Sequence, residues 1–162
     1  MTNSNQEKEN FILFELNKTT YALPSKIIKQ MEMIEQITPI PNAPEYIDGI
    51  VFSRGVVIPV INLRKRFGFK AVKPTLSTRL IVVQNGENSI GLVADSAREF
   101  VTIPNAEIQP PPENISGLSG KYLEGIAMLK NRVVLILDVE SMLKITDTNI
   151  DIKNLKNNKD GN

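Results

Sequence analysis

The sequence predicts an all-β fold built from two small five-stranded barrels with short helices. Short segments rich in β-branched and aromatic residues recur along the chain, separated by Gly, Pro, Asn and Asp, which is typical of strands joined by turns. The order of these segments then repeats in the second half of the chain. Ten or so short strands alone fit either small barrels or a sandwich, and the repeat favours two barrels.

Local patterns define the elements of the first half. Five strands are predicted, at residues 11–16, 19–23, 27–37, 47–52 and 56–61. The first two enclose a turn at Asn17-Lys18. Three prolines make residues 38–46 a loop of fixed shape. After the last strand, Asn62 is a candidate cap for a short helix that Gly68 ends.

The second half begins after a linker over residues 69–78 and contains the clearest hairpin signal of the chain. Asn85-Gly86 predicts a tight turn between two strands that together span residues 79–94. Asp95 is a candidate cap for one helical turn. The remaining predictions are a strand at residues 100–104, a proline-rigid loop at 109–120, and a hairpin with a short helix at 122–144.

The repeat becomes explicit when the chain is shifted onto itself. A shift of 76 residues places Tyr46 over Tyr122 and Gly49 over Gly125, and a shift of 69 places residues 11–23 over 80–92. Two shifts of similar size, in the same order, indicate a duplicated five-strand unit. We therefore predict lobes at residues 11–70 and 79–144, with an exchange of strands between them left open.

The duplicated positions first receive structural interpretations. Gly49 and Gly125 are predicted at sharp bends or close backbone contacts. Tyr46 and Tyr122 are expected to pack their rings and hold their hydroxyls near the surface. Helix caps are predicted at two equivalent positions, Asn62 and Asp138.

The turn Ser53-Arg54-Gly55 has no such counterpart. The second copy has Lys130-Asn131-Arg132 at this place, an ordinary polar connection. The fold alone therefore does not require an Arg-Gly turn.

Composition limits the classes of function. Of 162 residues, 41% are hydrophobic and 23% charged, as in an ordinary soluble globular protein. The 19 basic and 18 acidic residues nearly balance, so no overall field attracts nucleic acid. Cysteine and histidine are absent, which excludes disulfides, thiolate metal sites and histidine-based catalysis. We predict a protein that is not an enzyme and uses no metal or other cofactor.

The polar start and the lack of an apolar run near the roughly 20 residues of a membrane helix predict a cytoplasmic protein without direct membrane insertion. Residues 1–10 and 146–162 are rich in Asn, Lys and Asp and are predicted to be disordered.

Two other functions rest on short motifs. Asp95-Ser96-Ala97 is a weak match to the Asp-Ser/Thr-Gly turn of dimeric aspartic proteases, and a helix cap explains it better. The basic run at residues 64–66 is the basis of our alternative function, a nucleic-acid-binding tandem barrel. Few aromatic residues lie near it to stack bases, and a solvated helix face explains the run better.

An interaction protein fits the residues better. Gln30 and Glu32 share one face of their predicted strand. Met31 and Met33 share the other, and methionine suits adaptable contacts. Arg54 is a candidate for a charge-assisted hydrogen bond with Glu32 or with a carboxylate of a partner.

Longer segments carry a family resemblance. The segment "ITPIPNAPEYIDGIVFSRGVVIPVINLRKRFG" at residues 37–68 closely resembles the core of the CheW-type chemotaxis coupling proteins. So do "FILFELNKTTYALPSKIIKQMEMI", "RLIVVQNGENSIGLVADSAREFVTI" and "YLEGIAMLKNRVVLILDVESML". The resemblance covers about residues 11–144 and implies a CheW-like domain over residues 11–145.

The resemblance implies a scaffold of two SH3-like barrels. Such proteins bridge a chemotaxis histidine kinase, through its regulatory domain, to transmembrane chemoreceptors in signalling arrays. The cytoplasmic hairpin tip of the receptor docks between the barrels, and the kinase packs against one barrel in rings that can include other coupling proteins. The chain would then reach the membrane only through the receptor arrays.

The resemblance also implies a set of contact residues. Glu32 matches the acidic residue of the strand after the first helical turn, and Gly49, Ile50 and Arg54 match a segment associated with binding. We add Gln30 to this set because it shares a face of the predicted strand with Glu32.

Phe52 and Ser53 complete the set, and they depart from the family pattern, which usually has Asn-Leu before Arg-Gly. We expect Phe52 to supply, from the neighbouring position, the apolar contact that the family's leucine makes.

Overall fold

A computed structural model describes residues 7–112 and 119–143. Its first half contains β1 (Lys8–Leu16), β2 (Thr19–Pro24), β3 (Ile28–Met33), β4 (Ile47–Ser53), β5 (Val56–Asn62) and α1 (Leu63–Arg66). Its second half contains β6 (Arg79–Asn85), β7 (Asn88–Ala94), β8 (Ser96–Pro104), β9 (Leu123–Leu129), β10 (Arg132–Leu137) and α2 (Val139–Leu143). In the described ranges 3₁₀ turns occur at Ser25–Ile27, Asn105–Glu107 and Ser119–Tyr122.

The chain ends were predicted to be disordered, and most of both segments lies outside the described residues. The exception is residues 7–10, of which 8–10 begin β1. Asn10 pairs with Thr102 of β8, whose hydroxyl donates to the Asn10 side chain at 2.6 Å. A neighbouring strand thus orders a polar segment that has no apolar signal of its own. Part of the second proline loop, residues 113–118, also lies outside the described residues.

Three hairpin turns share one backbone conformation. Both turn residues have positive φ at Asn17-Lys18, at Arg54-Gly55 and at Lys130-Asn131. This is the geometry of a type I′ turn, whose twist matches that of the flanking strands.

The β6–β7 turn differs by one residue from its prediction. Gly86 (φ +64°) and Glu87 form it, while Asn85 still pairs with Asn88 in the ladder. A positive φ at the first turn position alone is the pattern of a type II′ turn, which favours glycine there.

The strands form two five-stranded sheets, which confirms the predicted all-β fold of two SH3-like lobes. One sheet has the order β3-β6-β7-β5-β4, and we call it the first lobe. The other has the order β8-β1-β2-β10-β9, and we call it the second lobe. Each lobe therefore contains strands from both copies of the repeat.

Because of this exchange, the two lobes are not the contiguous segments 11–70 and 79–144 that were predicted. The β1–β2 hairpin belongs to the second lobe because β2 pairs in parallel with β10. The β6–β7 hairpin belongs to the first lobe because β7 pairs in parallel with β5. The exchange ties together two lobes that would each be marginal alone, since small domains bury a smaller fraction of their surface.

The two lobes have matching strand registers. Val60 pairs with Gly91 in the first lobe, and Ile136 pairs with Ala22 in the second, which preserves both shifts of the repeat. An isolated β-bridge joins Thr38 to Ile50 in the first lobe, and the equivalent bridge joins Gln109 to Ile126 in the second. The register thus defines equivalent positions in the two lobes residue by residue.

A shared core joins the lobes. Its largest apolar cluster combines residues of the second lobe, such as Phe14 and Tyr21, with residues of the first, such as Ile61 and Ile81. The ring of Tyr21 lies 5.7 Å from that of Phe67, just after α1, so aromatic contacts also cross between the lobes.

Asp95 does not cap a helical turn. The residues after it form β8, which pairs with β1 along nearly its whole length. The sheet ladder therefore overrides the local capping signal. The helix caps predicted at Asn62 and Asp138 are present: Asn62 Oδ1 accepts from the N–H of Lys65, and Asp138 Oδ1 from that of Ser141.

Both equivalent tyrosines are buried, and Tyr122 lies deeper than predicted. Tyr122 is fully buried, and no described residue forms a hydrogen bond with its hydroxyl. The guanidinium of Arg66 lies 4.2 Å from the ring centre of Tyr46 and 5.5 Å from that of Tyr122. Arg66 also donates to the carbonyl of Met142, the residue at its equivalent position, at 3.2 Å. Arg66 therefore joins the two copies of the repeat.

Replacing Arg66 by alanine should lower the free energy of unfolding by about 2 kcal/mol, because the variant loses two ring contacts and a hydrogen bond. Urea denaturation measures the change. Arg98→Ala removes an exposed arginine and should cost less than about 0.5 kcal/mol. Equal losses in the two variants would show that Arg66 does not join the copies.

Candidate functional site

Three predicted contact residues meet at one end of the first lobe. Gln30, on β3, donates from Nε2 to Oε2 of Glu32 at 2.9 Å and to Oγ of Ser53, on β4, at 3.1 Å. β3 and β4 are the two edges of their sheet. Across a flat sheet, four spacings of about 4.8 Å would separate these edges by roughly 19 Å. The Gln30–Ser53 contact therefore closes the sheet into a barrel at this end, which we call the first mouth.

Arg54 lies beside the first mouth, in the left-handed turn after β4 (φ +51°), with its side chain exposed. It does not pair with Glu32, one of the two partners considered for it, since Glu32 accepts from Gln30 instead. Within residues 7–112 and 119–143, none of the ion pairs involves Arg54. Its five N–H donors are available to an external acceptor.

Phe52 lies on the other face of β4. Because successive strand residues point to opposite faces, its ring points away from the side on which Ser53 bonds Gln30. It is 72% exposed and lies opposite Val57 of β5. Phe52 therefore adds an apolar surface to the outer face of the hairpin, and its replacement of the family's leucine contact stays a prediction.

Gly49 and Ile50 lie toward the start of β4 and not at the first mouth. Ile50 exchanges two backbone hydrogen bonds of 2.9 Å with Thr38 of the proline loop. A Cβ on Gly49 would lie only 2.1 Å from the carbonyl oxygen of Thr38. Gly49 therefore lets the loop pack directly on the strand, as its predicted close backbone contact requires.

Met31 and Met33 point outward from the edge strand β3 and are 40% and 51% exposed. They are not core residues, although core packing is the common role of methionine. Next to the first mouth they form a soft apolar face of the kind that adapts to different partners.

The structure adds three residues to the first mouth that the sequence did not indicate. Lys29, Val56 and Ser89 line the same cleft as Gln30 and Arg54. They come from three strands, so no local motif marks them. The repeat gives an indirect signal for one of them, because the shift of 69 residues aligns Ser89 with Thr20, which lines the corresponding cleft of the second lobe.

The basic run at residues 64–66 forms contacts within the protein. Arg64 Nη2 lies 2.7 Å from Asp95 Oδ2, and Lys65 Nζ lies 2.9 Å from Asp48 Oδ1. Arg66 stacks on Tyr46 as described above. The run is therefore not a free basic patch, and the nucleic-acid-binding alternative loses the observation on which it rested.

Asp95 accepts hydrogen bonds from both lobes instead of capping a helix. It accepts two hydrogen bonds from Arg64, of 2.9 and 2.7 Å, and one of 2.9 Å from the backbone N–H of Asn17 in the β1–β2 turn. Burial raises the pKa of Asp95, but these hydrogen bonds outweigh it, so the pKa lies below its usual value.

Replacing Asp95 by alanine should lower the free energy of unfolding at pH 7 by about 2–3 kcal/mol, because Arg64 loses its carboxylate. A lowered pKa stabilises the fold above the unfolded-state value of about 3.9, and this contribution is lost as pH falls. The difference from the wild type should therefore shrink in denaturation curves at pH 3. A difference that stays the same at both pH values would contradict an ionic role for Asp95.

In the described part of the chain, no group of three or more acidic residues is placed to hold a metal ion. None of the helices in the same ranges is long and apolar enough to cross a membrane.

Comparison with known proteins identifies the fold. The profile of the CheW-like domain matches residues 10–147. The solved structure of the scaffolding protein TtCheW from Thermoanaerobacter tengcongensis superposes with a TM-score of 0.80 at 29% identity. The match covers 86% of this chain and 95% of that protein.

Curated relatives agree with this match. The chain is 36% identical over 142 residues to the chemotaxis protein CheW of Helicobacter pylori, covering 86% of this chain and 84% of that protein. It is 32% identical over 143 residues to the protein of the same name from Bacillus subtilis, covering 88% and 92%. The chain belongs to the CheW-like domain family.

Proposed function

We propose that this chain is a non-enzymatic coupling scaffold of a chemotaxis system, which holds transmembrane chemoreceptors and a histidine kinase in one assembly. The observation that carries the proposal is the match of the two-lobed fold over 95% of a solved scaffolding protein. Relatives named as chemotaxis proteins support the same pathway.

The geometry of the first mouth suits binding rather than chemistry. The side chain of Gln30 donates to both Glu32 and Ser53, and its bond to Ser53 closes the barrel. Arg54 projects from a two-residue turn whose backbone conformation matches the twist of the flanking strands, so the turn presents the side chain to a partner. A planar guanidinium in this position suits a partner's carboxylate.

The two faces of the β4–β5 hairpin offer different contacts. One side carries Arg54 and the polar mouth, and the other carries exposed Phe52. We assign Arg54, Gln30 and Glu32 to the polar contact with a partner.

We assign Phe52 to an apolar contact, with Ser53 holding the mouth closed. In this proposal Gly49 and Ile50 act indirectly, because they hold the proline loop against β4.

The proposed partners are the regulatory domain of the kinase, the cytoplasmic hairpin tip of a receptor, and further coupling proteins in rings. The chain itself stays in the cytoplasm and reaches the membrane only through the receptor array. Its exposed apolar residues occur on both lobes, for example Phe52 on the first and Met128 on the second, which supports contacts with more than one partner.

Pull-down tests each pairwise contact. Tagged chain is incubated with the purified regulatory domain of the cognate kinase, and separately with a receptor cytoplasmic fragment. We expect both to be retained. Retention of neither by a sample that shows cooperative unfolding would exclude a coupling role, and salt-dependent retention on DNA instead would restore the nucleic-acid alternative.

A further inference from the structure

The two lobes have equivalent mouths, and the strand registers establish this. Gln30 pairs with Val82 in the first lobe, and the equivalent positions of the repeat, Glu99 and Leu13, pair in the second. On the other edge, Ser53 pairs with Val56 and Leu129 with Arg132. Glu99 and Arg132 therefore occupy the positions that Gln30 and Val56 hold in the first mouth.

The second mouth is closed by its own ion pair. Arg132 donates from Nη1 and Nη2 to the two carboxylate oxygens of Glu99, at 3.0 and 3.1 Å. The cavity that this pair lines has a volume of only about 50 Å³. An arginine next to the β9–β10 turn thus finds its carboxylate within the same lobe.

The first mouth lacks both partners of this ion pair. Gln30 is neutral and Val56 is apolar, and the cleft between them has a volume of about 280 Å³. Two cationic residues, Lys29 and Arg54, line the cleft. The carboxylate of Glu32 is not part of its lining and accepts a hydrogen bond of 2.9 Å from Gln30 instead. Lys29 Nζ lies 3.3 Å from Oγ of Ser89, which directs the ammonium group along the wall of the cleft.

The walls of the cleft favour one kind of anion. Ile58 and Val82 are buried at its base, and Val56 is half exposed at its edge. Such walls accommodate the methylene groups of an acidic side chain, while Arg54 provides a fork of N–H donors for its carboxylate. A small inorganic anion would use the cations but leave the apolar walls uncovered.

We infer that the first mouth binds a glutamate or aspartate side chain of a partner protein, which supplies from outside the carboxylate that Glu99 supplies within the second mouth. The inference rests on the proposed scaffold function for the identity of the partner, but the cleft itself can be tested without that partner.

The probe is N-acetyl-glutamate amide, titrated into isotopically labelled full-length chain and followed by amide NMR shifts. We expect saturable shifts at Arg54 and Ser89, at least tenfold weaker binding of the neutral N-acetyl-glutamine amide, and weaker binding of sulfate. The double variant Gln30→Glu/Val56→Arg builds the second lobe's ion pair into the first mouth and should reduce probe affinity at least tenfold.

The matched control is Glu99→Gln/Arg132→Val, which opens the second mouth and should leave the shifts at Arg54 and Ser89 unchanged. If Gln30→Glu/Val56→Arg does not fold, Lys29→Gln/Arg54→Gln removes both cations at exposed positions and should abolish the shifts.

Three outcomes would overturn the inference. These are no shifts in the wild type, equal shifts with the neutral probe or sulfate, or unchanged shifts in the variant that removes the cations. Failure of the pull-downs with positive NMR titrations would instead reject the proposed partners and keep the cleft as a carboxylate site.

Discussion

Gly49→Ala is expected to lower the free energy of unfolding by about 3 kcal/mol or more, the largest effect of any single substitution considered for this chain. The new Cβ would lie 2.1 Å from the carbonyl oxygen of Thr38, and this neighbour is backbone that cannot rotate away. The φ of +145° at Gly49 is also rarely adopted by residues with a side chain. Relief of the clash would break the two hydrogen bonds between Thr38 and Ile50.

Two other glycines provide graded controls. Gly55 has φ +79°, and a Cβ added there would meet nothing within 4 Å, so Gly55→Ala should cost only about 1 kcal/mol. At Gly125 a Cβ would meet a side-chain methyl of Ile108 at 2.6 Å and the carbonyl oxygen of Gln109 at 3.1 Å, which predicts an intermediate loss. Urea denaturation should rank the losses as Gly49, then Gly125, then Gly55. Similar losses for Gly49→Ala and Gly55→Ala would show that the loop does not need this close approach.

Arg54→Glu is expected to weaken binding of an acidic partner by about 100-fold, the effect of removing an interface arginine and adding a repulsive charge. The melting temperature should stay nearly unchanged, because Arg54 is exposed and forms no ion pair within the described residues. Isothermal titration calorimetry with the receptor fragment or kinase domain measures the first quantity, and scanning calorimetry measures the second.

Lys130→Glu is the matched control, since Lys130 occupies the equivalent position of the β9–β10 turn. The nearby Glu99 already pairs with Arg132, so the second mouth has its own carboxylate. We expect Lys130→Glu to affect binding at the first mouth by less than about threefold, because the substitution leaves the first mouth unchanged. A large fall in melting temperature for Arg54→Glu would make Arg54 a structural residue instead.

The hairpins could be predicted because their sequence signals are local, and the duplication could be predicted because the order of these signals repeats. Positive-φ turns favour particular residues, and Asn17-Lys18 and Arg54-Gly55 form as expected. The exchange of hairpins between lobes could not be predicted, since alternation shows which face of a strand is buried but not which sheet it joins. Asp95 illustrates the same limit, because a capping signal gave way to pairing with β1 and to the ion pair with Arg64.

The candidate site divides in the same way. Arg54 was identifiable because the second copy has no Arg-Gly turn, and Gln30 with Glu32 followed from strand alternation. The same alternation places Phe52 and Ser53 on opposite faces of β4, so the apolar contact expected of Phe52 would be made on the outer face of the hairpin. Lys29 and Ser89 could not be predicted from local sequence, because their strands, β3 and β7, come together only by pairing on either side of β6.

The central claim is that this chain couples receptors to a kinase, and co-sedimentation tests it most directly. Vesicles carrying a full-length receptor are mixed with the cognate histidine kinase, with or without the chain, and the kinase in the pellet is measured. We predict that the kinase sediments only when the chain is present, and that Arg54→Glu removes most of it from the pellet while Lys130→Glu does not. Kinase that stays in the supernatant with folded chain present, or sediments equally without it, would contradict the claim.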